Sequence, residues 1–163
     1  MSERIELRRE FVPRVADYAR VGLTLGKHPL AQIRDRLRAA KCTDSKTLRS
    51  RLHNSFARVA GLIALRQRPQ TASGLTFLTM EDEHGLVNVI VWRDVADRQR
   101  RVLLEAKLLG VDGEWEMLDG VQHLVAARLL DMTSMFGELD VRSRDFHWRP
   151  HRSSTSRRHH SRR

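Results

Sequence analysis

Asp112, Glu114 and Glu116 alternate along one short stretch, so on an extended strand their carboxylates share a face from which a cation could be held. Glu81, Asp82 and Glu83 form a second acidic group just ahead of His84 and Gly85. Two-metal chemistry needs carboxylates from several elements converging on ions about 3.5–4 Å apart, and no partner set accompanies either group. The first trio is therefore expected on a polar sheet exterior, and the second in a polar connection at a solvent-facing turn. The eight histidines are scattered, and the single cysteine, Cys42, has no second thiol for a disulfide or at zinc-ligand spacing. No Gly-rich phosphate loop ends in Lys-Ser/Thr, and no Ser or Cys lies in a nucleophile context. The expectation is a chain that is not an enzyme and needs no metal or cofactor.

Another set of residues suits binding. Arg66 and Arg68 lead into "PQTASG", whose small residues let another backbone approach. Phe77 and Trp92 offer stacking faces, Asn88 can hydrogen-bond a base edge, and Arg93 directly follows Trp92. Cations for phosphates beside aromatic platforms are what a single-strand binder requires. Strand alternation leaves the parity of Phe77 and Trp92 open: each either fills a barrel or stands outside it, filling being favoured for Phe77. Asp119 joins Asp112, Glu114 and Glu116 in an acidic segment that repels phosphates, so the first strand, the loop after it and the third strand should dominate any contact. Neutralising about four phosphates gives a salt slope of only about −3, hence weak binding without sequence preference.

The elements that must position these residues can be read from periodicity. "HPLAQIRDRLRAA" spaces Leu30, Ile33 and Leu37 for a helix that begins at Pro29, with Arg34, Arg36 and Arg38 mostly on its solvated side. "DSKTLRSRL" predicts a second short helix capped by Asp44 or Ser45. From Ala57 the pattern changes to strands: "ARVAGLIALRQRP", then "GLTFLTME" and "GLVNVIVW" joined by "DEHG", where Gly85 can take positive φ. Gly61 in mid-strand suggests a bulge or sharp bend. "DVADRQRRVLLEA" groups Val95, Val102, Leu103 and Ala106 at helical spacing, leaving Arg98, Arg100 and Arg101 as a solvated face. "KLLGVDGEWEML" and "GVQHLVAARLL" follow as a hairpin around Asp119 and Gly120.

Three strands, a helix and two strands make the layout of the OB-fold, a small five-stranded Greek-key barrel. The fold class is thus mainly β with a helical N-terminal segment, divided as 1–55 helical, 56–132 OB barrel, and 133–163 a basic, disordered tail. The formal charge is +10, and residues 141–163 hold eight arginines against Asp145, a net of +7. Such an end either acts as an electrostatic arm for phosphates or is merely adhesive. No run approaches the roughly 20 apolar residues of a membrane span, so a soluble, cytoplasmic protein is expected.

"GLTLGKHPL", "RVAGLIALRQRPQTASGLTFLTMEDEHGLVNVIVW", "GVQHLVAARLLDM" and "VRSRDFH" resemble, in order and spacing, the extreme C-terminal region of bacterial error-prone DNA polymerases related to the polymerase III alpha subunit. The resemblance runs from about Tyr18 to His147. Two features depart from it: the chain continues for sixteen arginine-rich residues past His147, and "LHNSFARVAGL" replaces a more usual glycine-containing approach to the first strand. The resemblance implies a setting in translesion synthesis, DNA replication and DNA repair, without the catalytic region of such an enzyme.

The primary functional expectation is an OB module that binds single-stranded nucleic acid, DNA in view of the resemblance. The alternative is a docking module for replication or translesion polymerase proteins, or a non-catalytic part of a split polymerase alpha subunit. Apolar residues of the N-terminal helices, lacking a neighbouring domain, are expected to form an open patch that promotes self-association.

Overall fold

The computed structural model describes residues 27–69 and 74–136. Residues 1–26, nearly half of the expected N-terminal helical segment, and the arginine-rich end lie outside the described residues. Three short helices come first: α1 (Pro29–Gln32), α2 (Arg34–Ala39) and α3 (Ser45–Arg49). The single helix expected over "HPLAQIRDRLRAA" is interrupted at Ile33, whose φ of −110° separates α1 from α2. Asp44 caps α3 by accepting from the Thr47 N–H at 2.8 Å.

The strands are β1 (Ser55–Gln67), β2 (Thr76–Asp82), β3 (Gly85–Val91), β4 (Leu108–Leu118) and β5 (Val121–Asp131). They close into a barrel in the order β1-β2-β3-β5-β4. Helices α4 (Arg93–Arg98) and α5 (Arg100–Glu105) fill the connection between β3 and β4, so the expected single helix there is two, broken at Gln99. A short 3-10 turn, Thr133–Phe136, follows β5. This is an OB fold. Among these strands only β3 and β5 pair in parallel, and that pairing, Val89 to Leu124 through Val91 to Ala126, closes the barrel.

The long strand β1 serves two neighbours: residues 55–62 pair with β4 and residues 62–67 with β2. Gly61 stands where it passes from one to the other. A Cβ there would lie 2.9 Å from Met80 Cβ and 3.1 Å from the Glu81 carbonyl oxygen, so the residue serves close strand approach. The register shift itself falls later, between Ile63 and Leu65. Asp119 and Gly120 both take positive φ, 51° and 79°, and make the tight β4–β5 turn.

Alternation along the strands fills the barrel with Val59, Leu78, Met80, Val89, Val111 and Leu124, while Val95, Ala96 and Leu103 of α4 and α5 close it. A separate cluster outside the barrel packs Leu30, Ile33, Leu37 and Cys42 against Ala60, Leu108, Met132 and Phe136. The apolar face of α1 and α2 is thus covered by the barrel, so these two helices do not contribute to the expected open patch. Burial also raises the Cys42 thiol pKa.

Two further expectations are corrected. Arg34 is buried: its Nε and Nη2 donate to the two carboxylate oxygens of Glu83, and Nη2 lies 3.6 Å from Asp82 Oδ2. The β2–β3 turn is consequently no solvent-facing tip. Asp82 is 3% exposed and accepts from both the N–H and the hydroxyl of Ser45 at 2.6 Å. The physical reason is that helices α1 to α3 fold back across this end of the barrel, where an arginine needs carboxylates. Burial opposes the charged form of Arg34, but the hydrogen bond and charge of Glu83, with Asp82 and Asp44, outweigh it and raise its pKa.

Candidate nucleic-acid interface

Cross-strand partners share a face, so the register assigns each candidate to a side of the sheet. Leu78, Met80, Val87, Val89 and Val91 belong to the barrel core, which puts Phe77, Thr79, Asn88 and Ile90 on the outer face of β2 and β3. Leu65 and Gln67 pair with Thr79 and Phe77 and extend that face onto β1. Together with His123 of β5 these residues line a groove. Its floor carries amide, hydroxyl and imidazole groups among apolar ones, with neither lysine nor arginine among the lining residues.

Phe77 does not fill the barrel. It packs outside it with Leu75 and Ile90, and half-buried Trp92 leans on the same cluster at the end of β3. Phe77 is only 9% exposed, so its ring forms the wall of the groove more than an open platform. Asn88 Oδ1 accepts from Thr79 Oγ1 at 3.5 Å, which orients the carboxamide across the groove floor. His123 is buried, its Nε2 3.2 Å from Glu116 Oε2 on the neighbouring strand.

The arginines divide. Arg66 pairs with Leu78, and its side chain therefore lies on the other side of β1 from Leu65 and Gln67. Its Nη2 donates to the Ala106 carbonyl at 3.1 Å, and partial burial lowers its pKa. The residue is exposed, as expected of a strand end, but the structure does not bring it into the groove. Arg68, which follows Gln67 in the chain, and Arg93, which follows Trp92, come together on one acid. Asp97 of α4 lies between them, its Oδ1 4.0 Å from Arg68 Nη2 and its Oδ2 3.5 Å from Arg93 Nε. Gly74, at φ 84°, lets the Arg93 stem pass: a Cβ on Gly74 would sit 2.8 Å from Arg93 Cδ.

The alternating acids of β4 do not make a metal centre. Asp112 lies on the outer face of the barrel, as expected, but is buried there and accepts from Arg58 Nε and Nη2 at 2.5 and 2.9 Å. Its hydrogen bonds to Arg58 hold the carboxyl below the usual aspartate range. Glu114 is exposed and Glu116 faces His123. Among the described residues no group of three His, Cys, Asp or Glu side chains could hold a metal ion.

Residues 57–131 match the family described as OB-fold nucleic acid binding domain. An error-prone DNA polymerase of Pseudomonas paraeruginosa is 54% identical over 133 residues, which are 82% of this chain and 13% of that one. Another, from Xanthomonas campestris pv. campestris, is 50% identical over 133 residues, 82% of this chain and 12% of that one. The chain is homologous to the OB-fold region of bacterial error-prone DNA polymerases.

It spans about 13% of the length of the curated relatives it matches. A solved structure, asparaginyl-tRNA synthetase from Pyrococcus horikoshii, superposes with a TM-score of 0.48 at 16% identity, covering 56% of this chain and 23% of that one. Within this OB-fold region, sequence reasoning singled out Phe77 and Asn88 but missed Leu65, Gln67, Thr79, Ile90 and His123, which line the same groove. Alternation alone adds Thr79 and Ile90, two residues from Phe77 and Asn88. His123 arrives through the parallel β3–β5 pairing, for which the sequence carries no local signal. No helix among the described residues is long and apolar enough to cross a membrane.

Proposed function

We propose that this OB-fold region binds single-stranded nucleic acid, DNA in its natural setting, along the outer face of β1, β2 and β3. The observation that carries the reading is the groove itself. Its uncharged, mainly apolar lining, with Gln67, Thr79 and Asn88 among it, suits bases, while Trp92, packed against the Phe77–Ile90 wall, and the Arg68–Arg93 pair on Asp97 suit a stacked base and its phosphate. On this reading the chain has no catalytic chemistry of its own. Homology to polymerases named error-prone supports a setting in translesion synthesis, replication and repair, in which the barrel holds the strand and other parts do the chemistry.

Fluorescence-anisotropy titration of a labelled single-stranded oligodeoxynucleotide tests this. Trp92→Ala and Asn88→Ala should each weaken binding by roughly 5- to 50-fold, the range expected for one stacked base or one lost base contact. Unchanged affinity in both variants would remove the groove from consideration.

A second reading has an observation of its own. Leu52 and Phe56 are 81% and 63% exposed near the start of β1, and Met117 stands close by, its N–H donating to His53 Nδ1. Exposed apolar side chains at one end of a barrel suit docking onto another replication or translesion protein. Such docking would tolerate salt and the Arg68→Glu change, whereas strand binding would not.

A further inference from the structure

Asp97 differs from the other acids on its helical segment. Asp94 pairs with Arg98, and Glu105 with Arg101, each one acid with one arginine a single turn away. Asp97 is shared by two arginines from two elements, Arg68 after β1 and Arg93 at the start of α4, and each arginine faces a different carboxylate oxygen. A carboxylate and a phosphodiester both present two terminal oxygens that share one negative charge, so a pair of guanidinium groups arranged for one suits the other.

We propose that Asp97 is a built-in competitor for a backbone phosphate, holding the Arg68–Arg93 clamp until a strand enters the groove. The inference rests on the strand-binding reading above and names the regulation of that site. Three features support it. Both contacts are long, 4.0 and 3.5 Å, so Asp97 holds the clamp mainly by charge. All three side chains are about half exposed or more, so an incoming phosphate can replace Asp97 without desolvating a buried ion. The Arg93 stem lies over Gly74 and the residue directly follows Trp92, so its guanidinium is kept near that residue when Asp97 turns away.

The clamp therefore carries a net charge of one while Asp97 occupies it, and two when Asp97 is displaced. Asp97→Asn removes the competitor. In the full chain, at low salt of about 50 mM, it should tighten binding of a single-stranded oligodeoxynucleotide about fivefold. It should also steepen the dependence of log affinity on log salt by about 0.7, one further phosphate on a single strand. Glu105→Gln makes the same charge change on the neighbouring helix and should gain much less. The gain must also disappear when Asp97→Asn is combined with Arg68→Gln and Arg93→Gln.

A gain equal to that of Glu105→Gln, or one that survives loss of both arginines, would overturn the inference. If Trp92→Ala and Asn88→Ala still weaken binding in that case, the groove reading stands and only the role of Asp97 falls. If neither of those variants weakens binding, the groove reading fails and the inference fails with it.

Discussion

At the residue scale, the position of a side chain across the sheet decides what it can do. Phe77 and Leu78 are neighbours in sequence, yet Leu78 fills the barrel while Phe77 walls a groove outside it. Phe77→Ala should cost about 3 kcal/mol in a denaturant titration, because the ring supports Leu75, Ile90 and Trp92 as one cluster. The Phe77→Leu variant should retain most of that stability, which separates lost volume from lost aromatic contact once strand binding is measured on both variants. Arg66 and Arg68 share a parity but differ in partner: Arg66 donates to the Ala106 carbonyl, whereas Arg68, just past the end of β1, faces Asp97. Arg66→Gln should leave oligonucleotide affinity within about twofold of the parent, while Arg68→Gln lowers it, since Arg66 is tied to the Ala106 carbonyl and Arg68 shares an exposed acid with Arg93. An equal loss in both would mean that the strand passes on the far side of β1.

At the element scale, the three short helices are tied to the β2–β3 turn by charge. Arg34 reaches Glu83 and Asp82, while Asp82 also accepts the Ser45 donors and the His84 N–H of its own turn. Arg34→Ala would strand two buried carboxylates and should cost roughly 3 kcal/mol or more. The pH dependence follows from Glu83. Burial alone would raise its pKa, but the hydrogen bond and charge of Arg34 lower it. A carboxyl depressed in the folded state stabilises fully above its unfolded pKa of about 4.3, and the contribution is lost as pH falls through the folded value. Asp112, depressed by Arg58, acts in the same direction. Thermal midpoints should therefore be flat from neutral pH to about pH 5 and drop below about pH 4, with Glu83→Gln lowering the plateau and shrinking the drop. A drop of unchanged size in that variant would place the acid sensitivity elsewhere.

The same network shows where the sequence stops being legible. Strands, their order and both hairpins were readable because alternation and the turn residues Gly85, Asp119 and Gly120 are local signals. The Arg34–Glu83 contact spans 49 positions, and nothing near either residue announces the other. Periodicity put Arg34 with Arg36 and Arg38 mostly on the solvated side, and tertiary folding turned it inward onto the β2–β3 turn. The groove was half legible for a similar reason: Phe77 and Asn88 stand on strands paired by a short hairpin, but Leu65, Gln67 and His123 join them only when β1 and β5 take their places.

At the scale of the whole molecule, charge is divided between a modest barrel and a strongly basic end. Residues 27–136 hold 17 basic and 13 acidic side chains, a net of +4, whereas eight of the 30 basic residues fall within residues 141–163. Arg34, Arg58 and Arg66 are committed to partners inside the fold, and Arg68 and Arg93 share one acid. Of the arginines proposed for the groove, only Arg68 and Arg93 are thus left for phosphates, and the slope of about −3 expected from four contacts becomes about −1.4 for two. A version of the chain ending at Leu139 should show that shallow slope, and the full chain a slope steepening toward about −5 as the terminal arginines engage. Equal slopes would mean that the terminal arginines take no part. Binding that disappears on truncation would assign the affinity to them and leave the barrel as the docking module of the second reading.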